Sequence, residues 1–516
     1  MVLADENDFR RKIKSVEELC AIIGPRPRKN KVIMCHGTFD IVHPGHIRHL
    51  LYSREKADVL VASLTCDVHI AKSDFRPFVP EELRAMNLAA LEMVDHVIID
   101  REPSPLKNLR IIQPDYFAKG YEYIDGAIHP RTQEEIEVLE GYGGEIIFTP
   151  GDIVYSSSKL IDAAPPKIAA DKLVMLMEAE GISFDMLADA LAGARATQVH
   201  VVGDTIVDSY TRCNVIGGVT KTPTISVRYE ERQDFSGGAA IVAKHLKAAG
   251  AKVSFSTILG DDALRDHVLQ DLERAGVECK PVIDPSRPTT NKNVIVAGGY
   301  HLLKVDTLDN RAISQKILGE LTEGVSVSAA DAVVFSDFRH GIFNSSSITR
   351  LIDAIPEGRF RVADSQVASR WGNILDFQNF DLITPNEREA RFALADQDIG
   401  VRPLAQELYN RANCKHLILK LGGRGLITYR PRSSDDVRAF FVLDSFTDNV
   451  VDAVGAGDAL LAYTTLVMAA QGSEIAAAIL GAFAAAVECE CEGNVPVHPD
   501  DVLAKLRDVE RRARYE

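Results

Sequence analysis

The stretch Lys31-Val-Ile-Met-Cys-His36-Gly37-Thr38-Phe39-Asp40-Ile-Val-His43-Pro-Gly45-His46 decides how the first part of this chain folds. Its apolar, β-branched opening reads as a strand, Gly37 marks a tight turn directly after it, and a helical pattern starts at His46. This is the opening of a wound α/β sheet, in which ligands collect at the C-terminal ends of the strands. Gly37 lets backbone approach a phosphate closely, and Gly45 keeps the loop small between two imidazoles. The chemistry that fits is nucleotidyl transfer. It requires positive charge and donors on the α-phosphate as it becomes five-coordinate and on the departing pyrophosphate, which two imidazoles and a lysine supply. The spacing of His43 and His46 alone also fits a metal pair or an accident of helix capping; the joined string carries the reading.

Working outward, short apolar runs alternate with helical patterns. Residues 9 to 23 read as a lead-in helix ended by the Gly-Pro-Arg-Pro turn at 24 to 27. Strands are expected at 32–35, 59–64, 94–99 and 145–148, with helices at 46–55 and 81–91. Strands alternating with helices imply a parallel sheet. This block, residues 1–161, is followed by Asp162-Ala-Ala-Pro-Pro-Lys167, whose adjacent prolines cannot continue a helix. Residues 162–197 are read as linker and connecting helices. A second α/β series occupies 198–516, with strands expected at 199–204, 253–259, 332–336, 361–364, 382–384 and 417–421. Residues 294–297, Gly298-Gly299 and 300–305 read as a β-hairpin.

With 516 residues the chain is suited to two or three domains. Its formal net charge of −16 argues against nucleic acid or an anionic membrane surface as the main partner. The eight cysteines are scattered without a C-x-x-C pair, which suits reduced, buried thiols. The N-terminus lacks the pattern of a signal peptide. The longest apolar stretch, 475–487, falls short of the roughly 20 residues that span a bilayer, and its small residues suit a buried helix. A cytoplasmic setting is the expectation.

A second phosphate-handling pattern lies near the C-terminus, where Gly455-Ala456-Gly457-Asp458 opens an apolar helix. The glycines let consecutive N–H groups converge on one point and the helix dipole adds to that positive end, making an anion hole for a phosphoryl group. Asp458 is placed to accept the proton of an attacking hydroxyl. The plain alternative is an N-capping aspartate after a flexible loop. Three other segments weigh against it: Ser236-Gly237-Gly238-Ala-Ala-Ile241, Thr384-Pro-Asn386-Glu-Arg-Glu389 and Lys420-Leu-Gly422-Gly-Arg-Gly425.

On these motifs the N-terminal block resembles the cytidylyltransferase-like nucleotidyltransferases, and most closely the adenylyltransferase part of bacterial ADP-heptose synthases. Lys72 with Arg76-Pro77, Glu82-Leu-Arg84, Asp95, Pro114-Asp115 with Lys119-Gly120, and Tyr155-Ser156-Ser157-Ser158-Lys159 support it. The resemblance implies a Rossmann-like domain in which His43, His46 and Lys72 act on the triphosphate. Gly37, Thr38, Phe39, Asp40, Lys119 and the turn Ser156, Ser157, Ser158 would contact the nucleotide. Without the resemblance, that serine turn is equally a plain N-cap, and Lys72 a solvated surface lysine. His36 and Ala62-Ser63-Leu64 depart from the heptose enzymes' pattern near the nucleotide or sugar.

Residues 198 to about 510 resemble the ribokinase-type (PfkB-type) sugar kinases, an α/β fold with a small β lid. Val202-Gly-Asp204 through Asp208-Ser-Tyr210, Ser286-Arg-Pro-Thr-Thr290 with Lys292, and Ser336-Asp337-Phe338 with Gly341 are similar to the kinase half of the heptose enzymes. The segments 210–235 and 287–306 would form the lid. The resemblance implies that Asp204, Asp208, Gly237, Gly238 and Lys292 face the sugar and that Asn386 and Glu389 organise Mg²⁺. It implies that Gly422, Gly425, Gly455, Ala456 and Gly457 bind nucleotide phosphate, and that Asp458 is the base. Ile241 stands where most relatives carry Asn, Asp364-Ser-Gln366 replaces Asp-Pro-Lys, and the loop 217–224 lacks a Ser-Pro-Glu run. The domain order is the reverse of the bifunctional heptose enzymes, which place the kinase first. The expected function is sugar kinase plus sugar-1-phosphate nucleotidylyltransferase. Its cofactors are Mg²⁺ and ATP, with CTP open for the first domain, its partners are a sugar phosphate and a nucleoside triphosphate, and the assembly is a homodimer. Rival readings are a cytidylyltransferase and kinase for another sugar or polyol phosphate, and a chain whose kinase domain only binds sugar or dimerises.

Overall fold

The computed structural model describes residues 8–70, 77–120, 130–149, 169–217, 225–366, 373–430 and 439–513. Lys72, Ser156, Ser157 and Ser158, the 162–167 linker and most of the 217–224 loop lie outside the described residues. The chain divides into two compact units, Met1–Lys167 and Ile168–Glu516.

The first unit is built on strands β1 (Val32–Gly37), β2 (Val59–Thr65), β3 (His96–Asp100), β4 (Tyr116–Gly120) and β5 (Glu145–Thr149). All pair in parallel, in the order β3-β2-β1-β4-β5. The side chains of β1 alternate across the sheet. Ile33 and Cys35 enter one buried cluster and Val32 and Met34 the other, as the two-residue period requires of a strand covered on both faces. The lead-in segment is two pieces, a 3₁₀ turn Phe9–Lys12 and a helix Val16–Ile23. The break falls at Ser15, which caps the helix in a reciprocal box with Glu18. Strand β4 had no clear expectation, yet it pairs with β1 and creates the point where strand order reverses.

The second unit holds β6 (Gln198–Gly203), β7 (Thr205–Gly217), β8 (Ser226–Gly238), β9 (Lys252–Leu259), β10 (Glu278–Ile283), β11 (Asn291–Ala297), β12 (Tyr300–Thr307), β13 (Ala332–Asp337), β14 (Phe360–Ser365), β15 (Leu382–Ile383), β16 (His416–Lys420), β17 (Leu426–Tyr429) and β18 (Phe440–Leu443). Its main sheet runs β10-β9-β6-β13-β14-β15-β16-β17-β18, with every pairing parallel except that β17 runs antiparallel to both its neighbours, β16 and β18. Helices bury both faces, with Ala332 and Val334 in one cluster and Val333 and Phe335 in the other. The segment 475–487 lies in the buried helix Glu474–Cys489.

Strands β12-β11-β7-β8 form a separate small sheet. Here β11 and β12 are the hairpin turning at Gly298 and Gly299, both with positive φ (58° and 81°), as a two-residue hairpin turn demands. The helices Ala169–Ala179 and Phe184–Gly193 send Leu173, Met177, Leu187 and Leu191 into the second unit's core. No helix among the described residues is long and apolar enough to cross a membrane.

Candidate active sites

In the first unit the loop after β1 sits at the switch between β1 and β4, the crevice where wound sheets bind ligands. Phe39 holds φ at 47°, buried against His46 with ring centroids 5.1 Å apart. The rings of His43 and His46 stack at 3.9 Å. His43 caps the helix Pro44–Arg54: its Nδ1 accepts the Gly45 N–H (3.1 Å), which leaves the proton of the neutral ring on Nε2. His46 Nδ1 donates to the Ile41 carbonyl (3.1 Å), which leaves its Nε2 an acceptor. Burial lowers the pKa of both, His46 to about 4 with His43 adding to the effect, so both rings are neutral without ligand.

Asp40 is buried and accepts the N–H groups of Phe78 (3.0 Å) and Val79 (2.8 Å), tying this loop to the residues entering the helix Glu81–Ala89. Arg84, fully buried, donates to the carbonyls of Val79, Thr38 and Thr65 and to Asp67. The signal for this clamp was the Glu82-Leu-Arg84 string, but its role is visible only once the loop closes over it. Lys119 is the penultimate residue of β4 and pairs with Glu135 and Thr132. His36, at the C-terminal end of β1, has Ser63 Oγ on Nδ1 (3.0 Å) and Thr65 Oγ1 on Nε2 (3.2 Å), with Asp100 Oδ2 3.7 Å away. Burial holds His36 down at about 4 and pushes Asp100 up to about 6.

In the second unit Gly455, at φ 87°, precedes the helix Ala456–Gln471, and Asp458 stands in its first turn. A side chain at Gly455 would meet Glu488 Oε1 at 2.7 Å and Asn494 Oδ1 at 2.9 Å. Asp458 is pushed up to about 8, first by burial and then by Asp364, with Lys420 offsetting part of the rise. Asp208 on β7 and Lys292 on β11 are paired in register across the lid sheet, and Asn494 Nδ2 donates to Asp208 Oδ2 (2.7 Å). Gly237 leaves room for them, because a Cβ there would lie 2.2 Å from that same oxygen and displace it. Gly238 holds φ at 60° over the Asp204 carbonyl.

Asp204 itself is buried and receives the N–H groups of Phe338 (3.0 Å), His340 (3.2 Å) and Ile342 (3.5 Å), so its carboxylate shapes that loop. Asn386 and Glu389 cap the helix Glu387–Leu394 reciprocally: Asn386 Oδ1 accepts the Glu389 N–H, and Glu389 accepts from Asn386 N and Nδ2. Burial pushes Glu389 up to about 7. Gly422 and Gly425 (φ 61° and 86°) form the turn between β16 and β17. Gly422 lines a cleft of about 1110 Å³ with Asn386, Arg388 and Lys420. Ile241 is wholly buried in the helix Ala239–Ala248. Sequence reading gave Lys420, Asp364, Asn494 and Glu488 no role, although all four gather around the Gly455–Asp458 turn and its neighbours.

The sequence model described as pfkB family carbohydrate kinase matches residues 196–500, and the chain belongs to that family. A second, described as cytidylyltransferase-like, matches residues 34–163. Kinase and nucleotidyltransferase families thus occur in one chain, the second of them N-terminal. Among curated proteins, bifunctional protein HldE of Bradyrhizobium sp. (strain ORS 278) is 29% identical over 343 residues, 64% of this chain and 67% of that protein. The protein of the same name from Rhodopseudomonas palustris (strain BisB5) is 28% identical over 63% of this chain and 65% of its own length. The chain therefore spans about two thirds of these relatives. The structure of phosphofructokinase-2 from Escherichia coli with substrates and products aligns over 61% of this chain and 100% of its own, at TM-score 0.51 and 20% identity, which shows a shared fold.

Proposed function

We propose that this chain makes a nucleotide-activated sugar in two steps. The second unit phosphorylates a sugar phosphate at the expense of ATP, with Asp458 taking the hydroxyl proton. The first unit couples the resulting sugar 1-phosphate to a nucleoside triphosphate and releases pyrophosphate. The substrate that fits the relatives' resemblance is heptose 7-phosphate, phosphorylated at its anomeric hydroxyl and then adenylylated. The observation that carries the reading is Asp458 lying half-buried at a glycine-gated helix N-terminus, beside the Asp208–Lys292 pair, in a chain that also holds stacked His43 and His46 after β1.

Among the described residues no three His, Cys, Asp or Glu side chains converge to hold a metal alone. Magnesium suits such a site, because it takes one or two carboxylates and completes its shell with water and substrate phosphates. Glu389, oriented by Asn386, would hold it, and it would supply charge neutralisation to the phosphates. Homodimerisation through the lid and a cytoplasmic setting complete the proposal. The His36–Ser63–Thr65 cluster at the ends of β1 and β2 favours one further reading, in which the first unit takes CTP or another sugar or polyol phosphate.

Mass spectrometry of the products from heptose 7-phosphate with ATP or CTP tests the proposal. A nucleotide heptose formed with one of them supports it. Absence of any sugar bisphosphate across a panel of sugar phosphates sinks the kinase step.

A further inference from the structure

Lys420 is a largely enclosed lysine at an unusual address. It ends β16, its N–H donates to the Pro385 carbonyl (2.8 Å), and its side chain is only 15% exposed. Its Nζ donates to both oxygens of Asp364, at 2.9 and 3.0 Å, and Asp364 is fixed in turn by the Thr384 hydroxyl (3.1 Å). An ammonium has three N–H donors, and among the described residues no acceptor takes the third. The same Nζ lies 3.3 Å from where a Cβ on Gly457 would be, so it stands against the turn whose N–H groups open the helix Ala456–Gln471. Lys420 also lines the cleft with Asn386 and Gly422.

The charges agree. Lys420 shares its surroundings with Asp364, Glu389 and Asp458, three carboxylates around one ammonium. Burial alone would lower its pKa, but Asp364 and Glu389 outweigh burial and raise it, so it stays charged. A permanent cation held at a helix N-terminus is a better anion receptor than either alone.

We propose that Lys420 is a catalytic residue of the phosphotransfer, contacting the phosphoryl group in transit above Gly457, and that Asp364 is the positioning residue that holds it there. This rests on the kinase reading of the second unit. In the step, the sugar hydroxyl oxygen bonds to the γ-phosphorus of ATP. The bond from that phosphorus to the β,γ-bridging oxygen breaks, and its electron pair leaves with ADP. The hydroxyl proton passes to Asp458. Lys420 makes no covalent bond; its charge meets the oxygens of the moving phosphoryl group.

The test compares the full chain with Lys420→Met, Lys420→Arg, Asp364→Asn and the double variant Lys420→Met/Asp364→Asn. The readouts are ADP release with heptose 7-phosphate and equilibrium binding of ADP and of the β,γ-imido analogue of ATP. Lys420→Met is expected to lower kcat about 10²–10³-fold, as loss of a transition-state donor does, with ADP affinity within about threefold. Lys420→Arg should recover part of the rate. Asp364→Asn should lower kcat about tenfold at unchanged KM and add nothing once Lys420 is methionine, because residues that act as one unit are not additive. The double variant removes both charges of the buried pair together, and so keeps its fold where a single change strands a charge. A Lys420→Met chain that keeps kcat within about threefold of an active parent, or single effects that multiply in the double variant, would overturn the proposal. Should the parent release no ADP with any sugar phosphate, the kinase reading fails. Lys420 is then judged on binding alone: an unchanged ratio of analogue to ADP affinity in Lys420→Met overturns its role, and a ratio about tenfold lower upholds it as a γ-phosphate contact.

Discussion

The imidazoles of His43 and His46 stack at 3.9 Å with their planes 30° apart, yet present opposite faces of the same chemistry. His43 keeps its proton on Nε2 because Nδ1 caps the helix, whereas His46 keeps its proton on Nδ1, against the Ile41 carbonyl. Two neutral rings in contact avoid the repulsion that two imidazolium ions would suffer. A triphosphate bound beside them would reverse that preference.

Nucleotide binding to the first unit should therefore take up protons. His46 rests at about 4, so it is neutral at pH 7, and a phosphate anion beside Nε2 raises it. Titration calorimetry in buffers of different ionisation enthalpy should show net proton uptake at pH 6.5. His46→Ala should abolish the uptake; an uptake that survives the substitution refutes this assignment.

His43→Ala and His46→Ala should each lower pyrophosphate release about 10²–10³-fold, the cost of a lost transition-state donor, and leave ADP release by the second unit unchanged. Parallel assays of the two products on the same preparations check this.

Asp458→Asn should remove ATP-dependent sugar phosphorylation and stabilise the fold. The Asp458 carboxyl is raised from its ordinary 3.8 to about 8, first by burial. A raised acid contributes its stability in full below 3.8 and loses it as pH rises through about 8. The melting temperature of Asp458→Asn should exceed the parent's by a margin that grows from about pH 4 to about pH 8 and then levels off. In the parent, kcat/KM should climb over the upper part of that range, since the base must be ionised.

Gly237→Ala would push a methyl group against Asp208 Oδ2, 2.2 Å from the ideal Cβ position. Because the backbone there is fixed by pairing with β7, Asp208 must give way, and with it the bond from Asn494. KM for the sugar should rise by about tenfold or more while ADP affinity holds, a split that steady-state kinetics with ADP inhibition would resolve.

Arg84→Met should loosen the loop after β1 from behind. Removing one partner of a buried charge network costs about 3–5 kcal/mol, and here it also takes a donor away from Asp67 and three carbonyls. Hydrogen exchange should accelerate at 38–42 and 77–79, with the second unit's exchange unaltered. Unchanged protection would assign the clamp no structural weight.

The sequence by itself determined what depends on neighbours along the chain. Strand β1 was legible because four apolar residues, Val32 to Cys35, run unbroken up to the His36-Gly37 turn. The β11–β12 hairpin was legible because only glycines readily take two consecutive positive φ values. The Gly455–Asp458 turn was legible because a helix N-terminus announces its own open N–H groups. Tertiary structure alone decided what depends on distance in space. Strand β4 became the partner of β1 through pairing across some eighty residues, Asp204 met the N–H groups of Phe338, His340 and Ile342, and Lys420 met Asp364 and Gly457 from three separate strands and turns. Local propensity is written in adjacent residues, whereas the field that keeps Lys420 charged and favours the neutral form of Asp458 exists only after the sheet has brought distant carboxylates together and excluded water from between them.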